Sequence, residues 1–222
     1  MVPWRVVFCW AALSWAAWQG VAAGAIGAAG GVSAGAVVLA GAAGAVGAGA
    51  VSSAGVGAAP AAVPPISGHF ALQTVDGREV TDATWRGKWL LVYFGYTSCP
   101  DICPTVLLRV GQALDALGPL ASRVQPIFIT VDPERDTDQR LATYVAAFNS
   151  RVVGLRGDPG QIREAAREFH VYYRARSLGN GEYTVDHSSF LYLVAPDGQF
   201  TKLLADSLPV ARLTDELRAV VR

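Results

Sequence analysis

The formal charges of this chain are distributed very unevenly. Between Met1 and Val75 the only Lys, Arg, Asp or Glu residue is Arg5, and every other charge lies from Asp76 onward. The chain therefore joins two segments of different composition, and only the second has the mixture of charged and apolar residues that is typical of a folded domain. Overall the 18 basic and 18 acidic residues balance, which gives no electrostatic reason to expect a nucleic-acid partner.

The first 23 residues have the pattern of an export segment. A short basic start, residues 1–5, is followed by the uncharged apolar run of residues 6–23. At about 18 residues this run lies between the core of a signal peptide and a short transmembrane helix. Small residues at 21–23 suit a cleavage site, whereas Trp15 and Trp18 suit a membrane interface and favour a retained anchor. Both interpretations stay open.

A low-complexity stretch, residues 24–65, follows the apolar run and consists mostly of Gly, Ala, Val and Ser. Frequent glycine argues against a packed core, and we predict a flexible tether here. A second membrane pass through residues 32–51 is the alternative, which the glycines disfavour. Pro60, Pro64 and Pro65 mark the entry to the domain predicted for residues 66–222.

The remaining residues predict an α/β domain with a mixed sheet flanked by helices. Continuous apolar runs and alternating patterns predict strands, and apolar residues at helical spacing predict helices. The predicted strands are residues 70–75, 89–94, 124–131, 152–155, 190–194 and 200–204, and the predicted helices are residues 105–117, 138–148, 159–169 and 209–220. The last two strands flank Pro196-Asp197-Gly198 as a hairpin, so the sheet is predicted to be mixed.

Two of the three cysteines lie between a strand and a helix start, a position that favours reactive or metal-binding thiolates. Cys9 belongs to the export segment, but Cys99 and Cys103 lie between a buried strand and a helix. The ring of Pro104 prevents the helix from having begun at Cys99, so we predict that it begins near Asp101. Cys99 then lies on the loop and Cys103 in the first turn, and the positive end of the helix favours a thiolate there.

A third candidate, His187, precedes the apolar run of residues 190–194, where we expect a loop to meet the sheet edge. A lone histidine in such a position is more often structural than functional. Spacing alone does not bring His187 to the thiols. If the thiols and His187 bind a metal, Asp132 and Asp186 are candidates for orienting its ligands or for a weak extra ligand. The favoured interpretations are a turn former for Asp132 and a loop carboxylate for Asp186.

Three motifs of this chain resemble signatures of one protein family and follow one another in the order expected for that family. Residues 94–105 (FGYTSCPDICPT), 130–137 (TVDPERDT) and 186–198 (DHSSFLYLVAPDG) closely resemble signatures of the SCO/SenC family, the cytochrome oxidase assembly proteins of bacteria and mitochondria. The resemblance covers about residues 66–222. It implies a thioredoxin-like fold, usually with one membrane anchor, and copper ligands at Cys99, Cys103 and His187.

The chemistry of that implied ligand set agrees with copper. Two thiolates and one imidazole form a soft, low-coordinate site that suits Cu(I), and Asp132 or Asp186 can add a weak ligand to Cu(II). Structural zinc normally takes four protein ligands, and no fourth Cys or His is obvious. The resemblance implies a metallochaperone that delivers copper to the copper-accepting subunit of cytochrome c oxidase. Its expected place is the bacterial periplasm, tethered to the inner membrane, with the mitochondrial inner membrane facing the intermembrane space as the alternative.

Other functions remain open at this point. Cys99 and Cys103 can act as a redox pair, a thiol-disulfide oxidoreductase that reduces the cysteines of the oxidase subunit. A peroxidase is a weaker hypothesis, because Thr97-Ser98-Cys99 only faintly resembles the Thr-x-x-Cys pattern of peroxiredoxins and is one residue short. A purely structural binding module gives no reason for two thiols at a helix start.

Overall fold

A computed structural model describes residues 65–221. The segments predicted as signal or anchor (1–23) and as tether (24–65) lie outside the described residues, apart from Pro65. Among residues 65–221, no helix is both long and apolar enough to cross a membrane. The predicted α/β class is confirmed: the described residues form a mixed sheet flanked by helices.

The secondary structure follows the apolar pattern of the sequence closely. The strands are β1 (Ala71–Thr74), β2 (Glu79–Thr81), β3 (Trp89–Gly95), β4 (Val124–Thr130), β5 (Val153–Arg156), β6 (Tyr173–Gly179), β7 (Glu182–His187), β8 (Phe190–Val194) and β9 (Phe200–Ala205). The helices are α1 (Ile102–Leu117), α2 (Asp138–Ala146), α3 (Pro159–Glu168) and α4 (Val210–Val220), with short 3-10 turns at Asp82–Trp85 and Gly118–Arg123. All ten predicted elements are present, with bounds shifted by at most a few residues.

The strands form two separate sheets. Seven strands form the main sheet in the order β2-β1-β5-β4-β3-β8-β9, while β6 and β7 pair only with each other. In the main sheet β3 is parallel to β4 and β4 is parallel to β5, whereas β8 runs antiparallel to β3. The parallel strands bring the ends of β3 and β4 to one edge, where the backbone N–H of Val131 donates to the carbonyl of Gly95 at 2.8 Å.

The core lies on both faces of the central strands. From Leu90 to Gly95 every residue of β3 is buried, as expected for a strand covered on both sides. Apolar residues at helical spacing bury one face of α1, among them Val106, Val110 and Leu114. This packing holds the start of α1 rigidly against the end of β3, which is where the two cysteines lie.

Three strands were not predicted. β2 is three residues long and edge-exposed, and the pair β6–β7 has mostly exposed or half-buried residues. Neither has the continuous apolar run that marks a buried strand. His187 is therefore the last residue of a strand, β7, in a separate two-stranded sheet, and the predicted loop at this position is wrong.

Gly111 allows α1 to approach the backbone that follows α2. A Cβ atom at Gly111 would lie 2.8 Å from the carbonyl oxygen of Phe148. We predict that Gly111→Ala destabilises the domain by about 1–3 kcal/mol despite the better helix propensity of alanine, because a backbone carbonyl cannot move aside without strain. Chemical denaturation of the two proteins measures the difference.

The exposed neighbour Gln112 provides a matched control on the same helix. Gln112→Ala is expected to change stability by less than about 0.5 kcal/mol. Equal stability of Gly111→Ala and the unsubstituted protein would show that the two backbones are not in contact.

Candidate metal centre

The two cysteines lie where the loop after β3 enters α1. The helix begins at Ile102 with Asp101 as its N-cap residue, as predicted, so Cys99 lies on the loop and Cys103 in the first turn. The Asp101 side chain makes no capping hydrogen bond. Instead the backbone N–H of Cys103 donates to Sγ of Cys99 at 3.5 Å. The Cys99 sulfur thus takes the place of the capping side chain at the positive end of the helix.

His187 reaches the thiols from the opposite side. Its Nε2 lies 3.5 Å from Sγ of Cys103, and its Nδ1 lies 3.0 Å from the carbonyl oxygen of Ser188. A carbonyl oxygen can only accept, so Nδ1 carries the proton and Nε2 presents its lone pair to the sulfurs. The rings of Tyr93 and Tyr96 pack edge to face against the imidazole, with centroids 6.3 and 5.8 Å away, and hold it in place.

The structure therefore brings the three predicted site residues together. One ligand atom each from Cys99, Cys103 and His187 lies within 4.8 Å of the others, and no other cluster of this kind occurs in residues 65–221. A metal with bonds of about 2.0–2.3 Å to nitrogen and sulfur fits between such atoms after a small inward movement of the side chains. Neither Asp132 nor Asp186 belongs to this cluster.

The two thiols differ in protonation. Hydrogen bonds from the Cys103 thiol, above all, and from the backbone N–H groups at the start of the helix outweigh partial burial and lower the pKa of Cys99 to about 3. The hydrogen bond to the Cys99 thiolate, together with burial, raises the pKa of Cys103 well above its ordinary value. At neutral pH Cys99 is thus a thiolate, and Cys103, which is fully buried, keeps its proton.

Tyr93 also lies beside the two thiols, which the sequence pattern did not reveal. Its hydroxyl lies 3.8 Å from Sγ of Cys103 and 3.0 Å from Oγ of Ser189. Burial, above all, and the electrostatic influence of the neighbouring Cys103 sulfur raise the pKa of Tyr93, so the phenol stays protonated and can donate to sulfur. The one available signal was a polar hydroxyl within the otherwise apolar run WLLVYFG, which a buried strand does not need.

The site opens to solvent on one side. A cleft of about 330 Å³ runs between the start of α1 and β7, with Cys99, Ile102 and His187 among its lining residues. Cys99 and His187 are half-buried, and the side chain of Ile102 is 46% exposed. A ligand atom of another molecule can therefore approach Cys99 and His187 directly, while Cys103 lies behind them.

The charged run of residues 132–136 does not lie wholly on the surface, because both of its aspartates are buried. Asp132 is 4% exposed and Asp136 is fully buried. Asp132 accepts a hydrogen bond from the hydroxyl of Tyr183 at 2.7 Å and pairs with Arg135. Asp186 is an exposed carboxylate that pairs with Arg176 at 3.3 Å, but it lies on strand β7, so the favoured interpretation as a loop residue is wrong.

Comparison with known proteins identifies the family. The family model SCO1/SenC matches residues 58–222. Two mitochondrial relatives are the SCO1 homolog 1 of Arabidopsis thaliana, 40% identical over 158 residues, and the SCO2 homolog of Bos taurus, 44% identical over 154 residues. These matches cover 71% and 68% of this chain but 47% and 58% of the relatives, about half of their length. The chain belongs to the SCO1/SenC family.

Solved structures are similar to the same part of the chain. The copper-bound ScoI of Arabidopsis thaliana is 40% identical with a TM-score of 0.67, covering 71% of this chain and 99% of that one. The copper-bound yeast Sco1 is 35% identical with a TM-score of 0.66, covering 71% and 89%. BsSco, described as a cytochrome c oxidase assembly protein with a disulfide switch, is 25% identical with a TM-score of 0.55, covering 69% and 91%. The expected thioredoxin-like fold is thereby confirmed.

We predict that Cys99 reacts with iodoacetamide at a nearly constant rate between pH 5 and pH 9, because its pKa of about 3 leaves it a thiolate throughout this range. An ordinary thiol loses about tenfold in rate for each pH unit below its pKa of about 8.5. Buried, protonated Cys103 should stay unmodified. Mass spectrometry of digested peptides measures both sites separately.

Unfolding in guanidinium serves as the control for this reactivity. Once the helix and His187 no longer surround the sulfurs, both cysteines should be alkylated with the pH dependence of an ordinary thiol. A rate at Cys99 of the folded protein that drops tenfold per unit below pH 8 would contradict the assignment of a stable thiolate.

Proposed function

We propose that this protein binds one Cu(I) ion through Cys99, Cys103 and His187 and delivers it to the copper centre of cytochrome c oxidase during assembly of that enzyme. The observation that carries the proposal is the convergence of two sulfurs and one imidazole nitrogen within 4.8 Å. Copper-bound structures of family members with 35–40% identity over this domain support the choice of metal. Soft thiolates and an imidazole are the ligands that favour Cu(I) over harder ions.

The electrostatics of the site suit a metal that must be both held and released. Cys99 is already a thiolate, whereas Cys103 must give up its proton when it binds the metal. His187 binds as the neutral ring through Nε2, since Ser188 fixes the proton on Nδ1. With three ligands, Cu(I) keeps an open position toward the cleft, where a thiolate or imidazole of the acceptor can bind before the donor ligands leave.

The acceptor that we propose is the copper-accepting subunit of cytochrome c oxidase. The description of BsSco as an oxidase assembly protein supports this partner. We also propose that residues 1–23 anchor the domain to a membrane and that residues 24–65 tether it. The bacterial periplasm is the proposed compartment, with the mitochondrial intermembrane space as the alternative, since the SCO homologs of Arabidopsis thaliana and Bos taurus are mitochondrial proteins.

A thiol-disulfide exchange role is the second candidate, and one observation favours it. Cys99 is a half-exposed thiolate, and Cys103 lies directly behind it with a proton on sulfur. This is the arrangement of an attacking thiolate and a resolving thiol. Cys99 attacks a disulfide of the acceptor, which forms a mixed disulfide and releases one acceptor thiol. Cys103 then loses its proton and attacks the Cys99 sulfur, which forms the Cys99–Cys103 disulfide and releases the second acceptor thiol. The acceptor cysteines are reduced and Cys99–Cys103 is oxidised, which suits an acceptor that needs thiols to receive copper.

We predict that His187→Ala lowers the Cu(I) affinity of the reduced full chain by at least about a hundredfold, because the two sulfurs alone leave the metal without its third donor. Competition with a chromophoric Cu(I) chelator measures the affinity. His69→Ala is the matched control, since His69 is exposed and pairs with Asp82 rather than with the thiols.

Thiol exchange with a model disulfide separates the two candidate functions. It should persist in His187→Ala, because the reaction needs only the two sulfurs, and it should be lost in Cys99→Ser. Stoichiometric Cu(I) binding by His187→Ala with unchanged affinity would contradict the proposed ligand set.

A further inference from the structure

The loop after β4, residues 132–136, contacts both halves of the metal centre. One half is the loop that carries Cys99, and the other half is the strand β7 that carries His187. The loop of residues 132–136 follows β4 directly, and β4 is the parallel neighbour of β3, from which the cysteine loop departs. Two of its side chains, Asp132 and Asp136, are buried carboxylates, and Arg135 is partly buried between them in sequence. Buried charges are costly unless they are fully hydrogen-bonded, so the partners of these three side chains indicate what the loop holds in place.

Asp136 holds the cysteine loop. Its Oδ2 accepts from the backbone N–H of Thr97 at 3.0 Å and from the hydroxyl of Thr130 at 2.6 Å, and its Oδ1 accepts from the hydroxyl of Thr97 at 2.5 Å. Thr97 is two residues before Cys99. A fully buried carboxylate that accepts three hydrogen bonds, two of them from one residue, fixes the backbone from which Cys99 projects.

Arg135 and Asp132 hold the strand that carries His187. The Arg135 guanidinium donates to Asp132 at 2.5 Å and to the carbonyl oxygen of Tyr183 at 2.8 Å, and it lies 3.7 Å from the centre of the Tyr183 ring. The Tyr183 hydroxyl donates to the other oxygen of Asp132 at 2.7 Å. Tyr183 is thus held at its backbone, its ring face and its hydroxyl, four residues before His187 on β7.

These contacts matter because the hairpin β6–β7 has no strand partner in the main sheet. Apart from the short chain connections to α3 and to β8, its position depends on side chains: the buried Val185, a hydrogen bond of 3.0 Å between the hydroxyls of Tyr96 and Thr184, and the contacts of Tyr183 with Arg135 and Asp132. The Arg135 guanidinium also lies 5.7 Å from the centre of the Tyr96 ring, which packs edge to face against His187. One cation thus contacts two aromatic residues that determine where the imidazole lies.

We propose that residues 132–136 act as a single scaffold that positions the two halves of the metal centre independently, with Arg135 and Asp132 setting His187 and Asp136 setting Cys99. This inference rests on the proposed function of that centre, and it makes all three side chains positioning residues rather than ligands. Loss of the contacts of Arg135 and Asp132 with Tyr183 should make the strand that carries His187 more mobile and leave the Cys99 loop in place. Loss of the contacts of Asp136 with Thr97 should do the reverse.

Hydrogen exchange of the metal-free full chain tests the scaffold without copper. Arg135→Lys keeps a cation beside Asp132 but loses the planar stack and the bond to the Tyr183 carbonyl, so amides of residues 182–187 should exchange about tenfold faster while residues 97–103 stay unchanged. Asp136→Asn should give the reverse pattern. The control is Glu134→Gln, an exposed carboxylate of the same loop, which should change neither.

Cu(I) competition then tests whether Arg135 acts through His187. We expect Arg135→Lys to lower the affinity about tenfold in the unsubstituted protein and not at all in the His187→Ala background. Asp136→Asn should lower the affinity in both backgrounds, because the thiols bind in each. An equal loss from Arg135→Lys in both backgrounds, or faster exchange spread over both segments, would overturn the inference.

Two milder variants keep the test decisive if the buried substitutions prevent folding. Tyr183→Phe removes only the hydroxyl that donates to Asp132, and Thr97→Val removes the hydroxyl that donates to Asp136 and accepts from Arg140. Each should give a weaker version of the matching exchange pattern, and no change in either would overturn the inference. Failure of the unsubstituted protein to bind Cu(I) would refute the proposed function instead, and the exchange data would still decide the scaffold.

Discussion

The parallel pairing of β3 with β4 is the constraint on which the site depends. It brings the carboxyl ends of two buried strands to one edge, where the loop to α1 and the loop to α2 lie side by side. One loop carries Cys99, and the other carries Asp136, which holds it. Both strands are covered on two faces, so neither end can shift without disturbing the core. The edge of the sheet is therefore a rigid base for a small site.

The chemistry follows from the asymmetry between the two sulfurs. Cys99 accepts from the start of α1 and from its neighbours, and it remains charged, whereas Cys103 is enclosed by the core and by Tyr93. A charged sulfur at the opening and a protonated one behind it suit metal capture and disulfide exchange equally well. His187 would separate these two functions, because the proposed metal site includes its Nε2, whereas thiol exchange does not need the imidazole.

Much of the fold was predictable because its signals are local. The runs WLLVYFG and VQPIFIT predict buried strands, and Pro104 places the start of α1 at Asp101. The hairpin β6–β7 was missed because its residues, such as Arg174, Arg176 and Ser177, are exposed and have no apolar period. The buried states of Asp132 and Asp136 were missed for a related reason, since a run of charges predicts a surface unless its partners are known.

The sequence by itself determined the elements, the two thiols at a helix start and, through three ordered motifs, the resemblance to the SCO/SenC family. Only the tertiary structure decided that His187, 84 residues from Cys103, lies 3.5 Å from its sulfur. Only the tertiary structure decided that Asp132, Arg135 and Asp136 support both halves of the site. The physical reason is that apolar period and helix caps act between near neighbours along the chain, whereas ligand convergence and the pairing of buried charges depend on how distant segments pack.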